Sequence, residues 1–181
     1  PKALELCRER NRAVTCILVE AAEERLPVES HSVDLLVCIE VPVVASAWFP
    51  AEARRVLKPG GVLVGSFNNR VSWRGLMANI KSSFMGRQRF YTKSYVSFRT
   101  SMRKQGFSFS EERGCCWMPF GRHSNSALIP MGARLERLIA LQRLPGLSPW
   151  IIYMAKLGQQ LTSTAAIVIY GLFANFMEMA T

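Results

Sequence analysis

Side chains that could act as bases, nucleophiles or metal ligands are few and widely spaced in this sequence. Of the two histidines, His31 falls in a polar, surface-like loop, whereas His123 falls between a predicted strand and a predicted helix and could act as a base near neutral pH. The five cysteines include no Cys-x-x-Cys pair, so we expect no metal site. An odd cysteine count without a signal peptide is typical of a reduced, cytoplasmic protein.

Polar residues follow two apolar runs that are typical of strands. Glu40 follows residues 33–39, VDLLVCI, and Asn68, Asn69 and Arg70 stand just after residues 62–67, VLVGSF. Ligands bind at the carboxyl ends of strands in open α/β sheets, so these residues are candidates for a ligand site. The alternatives are a capping or loop role for Glu40 and a purely structural turn for Asn68 and Asn69.

A strongly basic stretch extends from residue 70 to residue 113. It holds ten Lys and Arg but only two acids, Glu111 and Glu112, and so carries most of the net charge of +10. Aromatic side chains are interleaved with these charges: Trp73, Phe84, Phe90 and Tyr91. The pattern favours a lid over a phosphorylated, nucleotide or anionic-lipid acceptor. A nucleic-acid surface, or a solvated basic face with its aromatics in the core, fits the same pattern.

The elements that must position these residues alternate between helices and strands. The periodicity predicts helices over 2–11, from after Pro42 to about Leu57, over 74–83, 92–105 and 132–144, and strands over 13–19, 33–39, 62–67, 107–117 and 149–155. Lys58-Pro59-Gly60-Gly61 is expected to stop the second helix. Continuous apolar strands are typical of a parallel sheet covered on both faces, so the predicted class is α/β.

The end of the chain contains an uncharged stretch over residues 157–177, LGQQLTSTAAIVIYGLFANFM. Twenty-one residues are long enough to span a bilayer, but the Gln, Ser, Thr and Asn residues weaken that interpretation. A buried or disordered tail is the alternative. We expect one domain over 1–157, with 68–91 and 118–147 as lid or substrate insertions, followed by the apolar tail 158–181.

Four segments in order resemble a class I S-adenosylmethionine-dependent methyltransferase, of the methyltransferase type 11 group. They are residues 19–41, VEAAEERLPVESHSVDLLVCIEV; 52–69, EARRVLKPGGVLVGSFNN; 95–109, YVSFRTSMRKQGFSF; and 148–156, SPWIIYMAK. The resemblance implies a Rossmann-like three-layer sandwich with sheet order 3-2-1-4-5-7-6 and an antiparallel last strand. It also implies S-adenosylmethionine as the cofactor and methyl transfer to a small-molecule, lipid-linked or sugar-linked acceptor.

The resemblance assigns a set of site residues. The implied cofactor contacts are Ala22, Glu23, Cys38, Ile39, Glu40 and Val41, and the implied acceptor contacts are Asn68, Arg70, Trp73, Tyr91, Arg122 and Asn125. Ala22 stands where the family places an Asp that binds adenine. The family's histidine after the fourth strand is absent, so Glu40 and His123 stay as candidate catalytic residues.

The family's Gly-rich turn is missing, since the sequence contains no Gly-x-Gly. We therefore expect the carboxyl-terminal two thirds of a methyltransferase, truncated before its first two strands and binding the cofactor poorly or not at all. The strands at 13–19 and 33–39 are then expected to pair with each other or to pack poorly.

Two alternative functions remain open from the sequence. The first is a basic α/β binding module for nucleic acid or for an acidic membrane surface. The second is a non-functional fragment with an apolar tail. For the methyltransferase we expect an anionic acceptor, no nucleic-acid partner, and a cytoplasmic location with a membrane surface as an additional partner.

Overall fold

A computed structural model describes residues 5–6, 9–10, 15, 17, 23–87, 91–119 and 128–158, together with the backbone of 166–170. The strands in these ranges are β1 (Val33–Ile39), β2 (Leu57–Asn68), β3 (Phe107–Cys115), β4 (Trp150–Leu157) and β5 (Ala166–Tyr170). The α-helices are α1 (Phe49–Val56), α2 (Trp73–Phe84), α3 (Tyr95–Lys104) and α4 (Leu128–Leu138). Short 3₁₀ helices cover Pro42–Ala45 and Leu141–Arg143.

The five strands form one sheet in the order β3-β4-β2-β1-β5. Strands β1 and β2 are parallel, and β4 lies antiparallel between β2 and β3. This confirms the order that the resemblance implies for its fourth to seventh strands, including the antiparallel last strand. Because β4 runs against β2, the loop before β4 lies at the same sheet edge as the carboxyl ends of β1 and β2.

The far edge of β1 is covered by β5, a strand from the uncharged end of the chain. Leu35 to Ile39 pair in parallel with Ala166 to Tyr170. The expectation that residues 13–19 take this edge is wrong, because five apolar residues from beyond residue 157 complete the backbone hydrogen bonding there. Of the predicted strand 13–19, the structure describes only Thr15 and Ile17, which are exposed and outside any strand.

The buried core lies between the sheet and two helices. Helix α1 contributes Phe49, Ala53 and Val56, and α3 contributes Tyr95, Phe98 and Met102, all at most 2% exposed. An aromatic cluster joins α3 to the sheet, with Phe67 stacked on Phe98 at a centroid distance of 4.7 Å and Tyr153 5.2 Å from Phe98. In the described ranges both helices pack on one face of the sheet.

Three predicted elements differ from the observed ones in their bounds. The helix after Pro42 is divided into a 3₁₀ helix and α1, because Ser46–Trp48 bend the chain between them. Residues 58–61 are not a free turn: β2 begins at Leu57, with Gly60 at φ 84°, and a register shift separates the pair Val33–Leu57 from Leu35–Val62. The helix predicted over 132–144 is interrupted at Ala140, which has φ 54°.

The side chain of Asn69, fully buried just after β2, joins three segments of the chain. Its Nδ2 donates to the carbonyl oxygens of Gly146 (2.9 Å) and Ser148 (3.1 Å) in the loop before β4. Its Oδ1 accepts from the backbone N–H of Tyr95 (3.1 Å) at the start of α3 and of Val71 (3.3 Å). One carboxamide therefore fixes the loop, the start of α3 and the turn into α2 at one point.

A second polar node ties the segment before β1 to α1. The buried carboxylate of Glu52 accepts from the Leu26 N–H at 2.7 Å and from Arg55 at 2.6 Å. The same guanidinium donates to the carbonyls of Leu26 and Val28. The hydrogen bond from Arg55 lowers the pKa of Glu52 from its ordinary value of 4.5, and burial opposes that shift.

Replacing Asn69 is expected to cost more stability than replacing its neighbour. Asn69→Ala removes the side-chain partner of two amides and two carbonyls, with one buried contact of each kind, so the free energy of unfolding should fall by about 2–4 kcal/mol. Asn68→Ala removes a half-buried side chain and should cost less than about 1 kcal/mol. Urea denaturation of the two variants measures both values, and equal losses would contradict the role given to Asn69.

The Glu52 node makes stability depend on pH. Because the folded-state pKa of Glu52 lies below its ordinary value, its contribution is complete above about pH 4.5 and is lost as the pH falls through the lowered pKa. Glu52→Gln should destabilise the chain by about 1–3 kcal/mol at neutral pH and flatten the acid limb of the stability curve. Thermal melts between neutral and acidic pH test this, with the exposed Glu111→Gln as the matched control.

Candidate functional site

The carboxyl ends of β1 and β2 meet at one edge of the sheet, and the backbone there is strained. Glu40, directly after β1, has φ 58°, a left-handed conformation that costs a residue with a Cβ about 1 kcal/mol or more. The buried Ser66 of β2 stabilises it, because its Oγ accepts the Glu40 N–H at 2.7 Å. At the same edge, Cys116 just beyond β3 has φ 62°.

A small cavity of about 20 Å³ opens beside this strained residue. It is lined by Val41, Pro42, Val44, Ala45, Ser66, Phe67 and Asn68. The lining combines the first residues after β1 with the last residues of β2, the position at which open α/β sheets bind ligands. The described residues thus form one wall of a cleft, with a polar hydroxyl and an amide set in an apolar surface.

A larger cavity, of about 550 Å³, lies next to the loop that Asn69 anchors. Its walls are Arg99 of α3, Glu112 of β3, and Arg143 to Leu147. The Arg99 guanidinium pairs with the Glu112 carboxylate at 2.9 Å, and the Tyr95 hydroxyl donates to the same carboxylate at 2.8 Å. Two guanidiniums against one carboxylate leave this cavity net positive, so it suits an anionic group.

The buried titratable groups near the site are held in their neutral forms. Burial raises the pKa of the Cys38 thiol to about 12, so this cysteine is not a nucleophile at neutral pH. Burial, and then the hydrogen bond to Glu112, raise the pKa of Tyr95 well above its usual range, so the hydroxyl stays protonated and keeps donating. Both groups therefore serve packing and positioning rather than proton transfer.

The structure brings some of the predicted site residues together. Ile39, Glu40 and Val41 lie at the β1 end, and Asn68 lines the same small cavity as Val41. Cys38 is fully buried in the core, and Glu23 is exposed before β1. Ala22, Arg122, His123 and Asn125 lie outside the described residues.

Three of the predicted acceptor residues that the structure describes, Arg70, Trp73 and Tyr91, lie on or beside α2. Arg70 is exposed, and its N–H donates to the Lys93 carbonyl at 3.0 Å. Trp73 Nε1 donates to the Trp117 carbonyl at 2.9 Å, and the Tyr91 carbonyl accepts from Asn79 Nδ2 at 3.0 Å. These contacts attach α2 and the segment before α3 to the edge of the sheet that holds the two cavities.

Sequence reasoning missed Ser66, the Arg99–Glu112 pair and Arg143 as site residues. A serine inside the apolar run VLVGSF was the available signal, because a hydroxyl in a buried strand needs a partner. The arginine–glutamate pair had no signal, since Arg99 and Glu112 meet only when α3 packs on β3. Within residues 23–87, 91–119 and 128–158, no three His, Cys, Asp or Glu side chains form a group that could hold a metal.

The N-terminal third of the chain matches a known family in sequence, and the fold matches solved structures. Residues 1–65 match the family model of the methyltransferase domain. The chain is similar to an S-adenosylmethionine-dependent methyltransferase from Thermotoga maritima, with 19% identity and a TM-score of 0.52 over 86% of this chain and 69% of that one. The corresponding enzyme from Mesorhizobium loti shows 17% identity and a TM-score of 0.52 over 86% and 76%.

The same fold also occurs in a protein with another activity. The cyclase SpnF is 17% identical, with a TM-score of 0.55 over 87% of this chain and 62% of its own. No curated protein matches the chain in sequence. Likeness at this level of identity establishes the fold, and a fold alone does not fix the reaction.

These findings confirm the predicted resemblance and fold class. Residues 1–65 carry methyltransferase-domain sequence, and the chain has the fold of the two S-adenosylmethionine-dependent methyltransferases named above. None of the α-helices in the described part of the chain is long and apolar enough to cross a membrane. The predicted division at residue 157 and the individual site residues stay predictions.

The left-handed backbone conformation of Glu40 can be tested through its effect on stability. Glu40→Gly should raise the free energy of unfolding by about 0.5–1 kcal/mol, because glycine adopts φ 58° without a Cβ clash. Val41→Gly is the matched control, since Val41 has φ −98° and gains nothing from glycine. Chemical denaturation measures both; a destabilised Glu40→Gly variant would show that the side chain holds the fold rather than the site.

Proposed function

We propose that this chain takes part in S-adenosylmethionine-dependent methyl transfer to an anionic small-molecule or lipid-linked acceptor. The β1–β2 edge forms the cofactor side of the site, and the cavity between Arg99 and Arg143 forms the acceptor side. The observation that carries the proposal is the strained Glu40, which lies within residues 1–65 that match the methyltransferase domain and is held by Ser66 at the carboxyl ends of two parallel strands. A reducing, cytoplasmic setting is part of the proposal.

The described residues fit one wall of a cofactor cleft and do not enclose the cofactor. A cavity of about 20 Å³ is far smaller than the several hundred Å³ that pockets for such ligands occupy. The wall itself is suitable, because Glu40, Val41 and Ser66 place backbone and hydroxyl groups at the strand ends. When bound, S-adenosylmethionine supplies a methyl group on a sulfonium, and the protein's task is to position the acceptor in line with it.

The larger cavity supports an anionic acceptor. Arg99 is oriented by its ion pair with Glu112, and Glu112 is in turn fixed by the Tyr95 hydroxyl. Arg143 stands across the cavity on the loop that Asn69 holds. Two consecutive residues at the end of β2 contribute to the two cavities. Asn68 lines the small cavity, and Asn69 anchors one wall of the large cavity.

A titration followed by NMR tests the cofactor side. We expect S-adenosylhomocysteine to bind weakly but saturably and to shift the backbone amides of Glu40, Val41 and Asn68. Ser66→Ala should weaken this binding roughly tenfold, because it removes the hydroxyl that holds the Glu40 N–H. Saturable binding without shifts at these amides, or no binding, would overturn the assignment of this edge to the cofactor.

The acceptor side is tested separately with inorganic phosphate as the probe. Phosphate should shift the amides of Gly146 and Leu147, and Arg143→Gln should reduce its affinity about tenfold through loss of one charged partner. Arg113→Gln, an exposed arginine outside the cavity lining, is the matched control and should bind phosphate as the unmodified chain does. Equal losses in both variants would indicate general charge attraction rather than a site.

A further inference from the structure

Helix α2 presents its large apolar side chains to solvent. The exposed residues repeat every three or four positions and so form a continuous row along the helix: Trp73, Leu76, Met77, Ile80 and Phe84. Phe84 is 88% exposed and Met77 is 61% exposed. We refer to these five residues as the α2 apolar row. An exposed row of this size is typical of a surface that meets another apolar phase.

The packing of the opposite side of α2 fixes the direction of this row. Gly75 is buried against the backbone oxygens of Asn69 and Arg70, where a Cβ would clash. The Ser72 hydroxyl caps the helix by accepting from the Gly75 N–H at 3.1 Å. Rotating the helix to bury the apolar row would break this cap and the close backbone contact, so the exposure is a property of the fold.

Helix α4 repeats the arrangement, and both helices attach to the same peptide. Met131, Leu135 and Leu138 are exposed on α4, the last at 82%. On its other side, Glu136 accepts the Met118 N–H at 3.0 Å, while Arg74 of α2 donates to the Met118 carbonyl. Two helices with exposed apolar residues are thus anchored next to each other at the edge of the sheet.

The charges around these rows are mostly positive, with Glu136 as the acid on α4. No Asp or Glu occurs from residue 53 to residue 110, whereas after residue 52 the chain carries 18 Lys and Arg against four acids. Lys81 and Arg87 are exposed beside the α2 apolar row, and Arg134 and Arg137 are exposed on α4. Exposed apolar rows flanked by basic side chains are the pattern of helices that lie in the interface of an anionic membrane. Nucleic acid would neutralise the charges but would leave the apolar rows in water.

We propose that α2 and α4 dock this chain on an anionic phospholipid surface. The α2 apolar row enters the headgroup region, and Lys81, Arg87, Arg134 and Arg137 contact the lipid phosphates. This docking needs neither cofactor nor acceptor, so it stands independently of the proposed methyl transfer. If both the membrane docking and the proposed methyl transfer hold, the site at the sheet edge lies next to the lipid surface, and a lipid-borne acceptor can reach that site.

Vesicle flotation tests the proposal with the full chain. We expect binding to phosphatidylcholine vesicles that contain phosphatidylglycerol, little binding to phosphatidylcholine alone, and weakening at high salt. The variant Ile80→Gln/Phe84→Gln and the variant Lys81→Glu/Arg87→Glu should each reduce the partition coefficient at least about tenfold. All four side chains are exposed, and circular dichroism melts confirm that these variants fold.

Matched controls and a depth measurement complete the test. Val96→Gln and Lys104→Glu change an exposed apolar and an exposed basic residue on α3 and should leave binding unchanged. Brominated lipids should quench tryptophan fluorescence in the unmodified chain and much less in Trp73→Phe. The proposal is overturned by no binding to anionic vesicles, by equal losses in the controls, or by salt-sensitive binding without quenching, as a nucleic-acid surface would give. It is also overturned if the Ile80→Gln/Phe84→Gln variant acts by dissociating a dimer.

Discussion

The buried carboxamide of Asn69 is the contact on which the arrangement of the site depends. Each of its two polar side-chain atoms makes two hydrogen bonds. Nδ2 donates to two carbonyl oxygens of the loop before β4, and Oδ1 accepts from the backbone N–H groups at the start of α3 and in the turn into α2. None of these three segments is adjacent to another in sequence. A single side chain can join them because β4 is antiparallel to β2, which returns residues 146–148 to the end of the strand that Asn69 follows.

The larger cavity and the orientation of the exposed helix α2 follow from this contact. The loop held by Asn69 forms one wall of the cavity that contains Arg143, and α3, which begins at the same point, supplies Arg99 as another. The Asn69 carbonyl accepts from the Ser72 hydroxyl at 2.7 Å, and Ser72 caps α2 and directs its apolar row outward. The proposed acceptor site and the proposed membrane surface are therefore positioned by the same few atoms.

The sheet could be predicted from the sequence where the apolar runs were continuous and bounded by turn residues. Strands β1, β2 and β4 were anticipated to within a few residues, apart from the start of β2, because Val, Ile and Leu runs of that length have few other stable arrangements. The start of β2 was not predicted. Lys58-Pro59-Gly60-Gly61 has the composition of a turn, but in the structure it extends the strand, with a register shift against β1. Here tertiary pairing overrides local preference.

The site was less predictable, because its polar contacts join residues far apart in the chain. Glu40 was anticipated from its place after a strand, but the Ser66 hydroxyl that stabilises its backbone comes from β2, 26 residues later. Asn69 was expected to be a turn residue, and its full burial depends on a loop 77 residues away. The basic stretch was predicted to be a lid, a nucleic-acid surface or a solvated face, and none of these alternatives specifies which arginine lines a cavity. The ion pair between Arg99 and Glu112 orients that arginine.

The sheet has a second apolar face, opposite α1 and α3, that the described helices leave open. Paired residues lie on the same side of a sheet, so the register places Leu35 beside Val62, and Val64 between Val37 and Met154. The first four of these are half-buried and Met154 is 37% exposed, while Ile152 on the same side is 47% exposed.

The continuous apolar strands predicted a sheet that is covered on both faces. Among the described helices, α1 and α3 cover one of these faces. The polar ends of β1 and β2 stand at the rim of the open face, because Ser66 pairs with Ile152 on that same side. Because Ser66 and Glu40 lie at this rim, a group that covered the open face would also narrow the cleft beside them, so the packing of the sheet and the proposed cofactor side are linked.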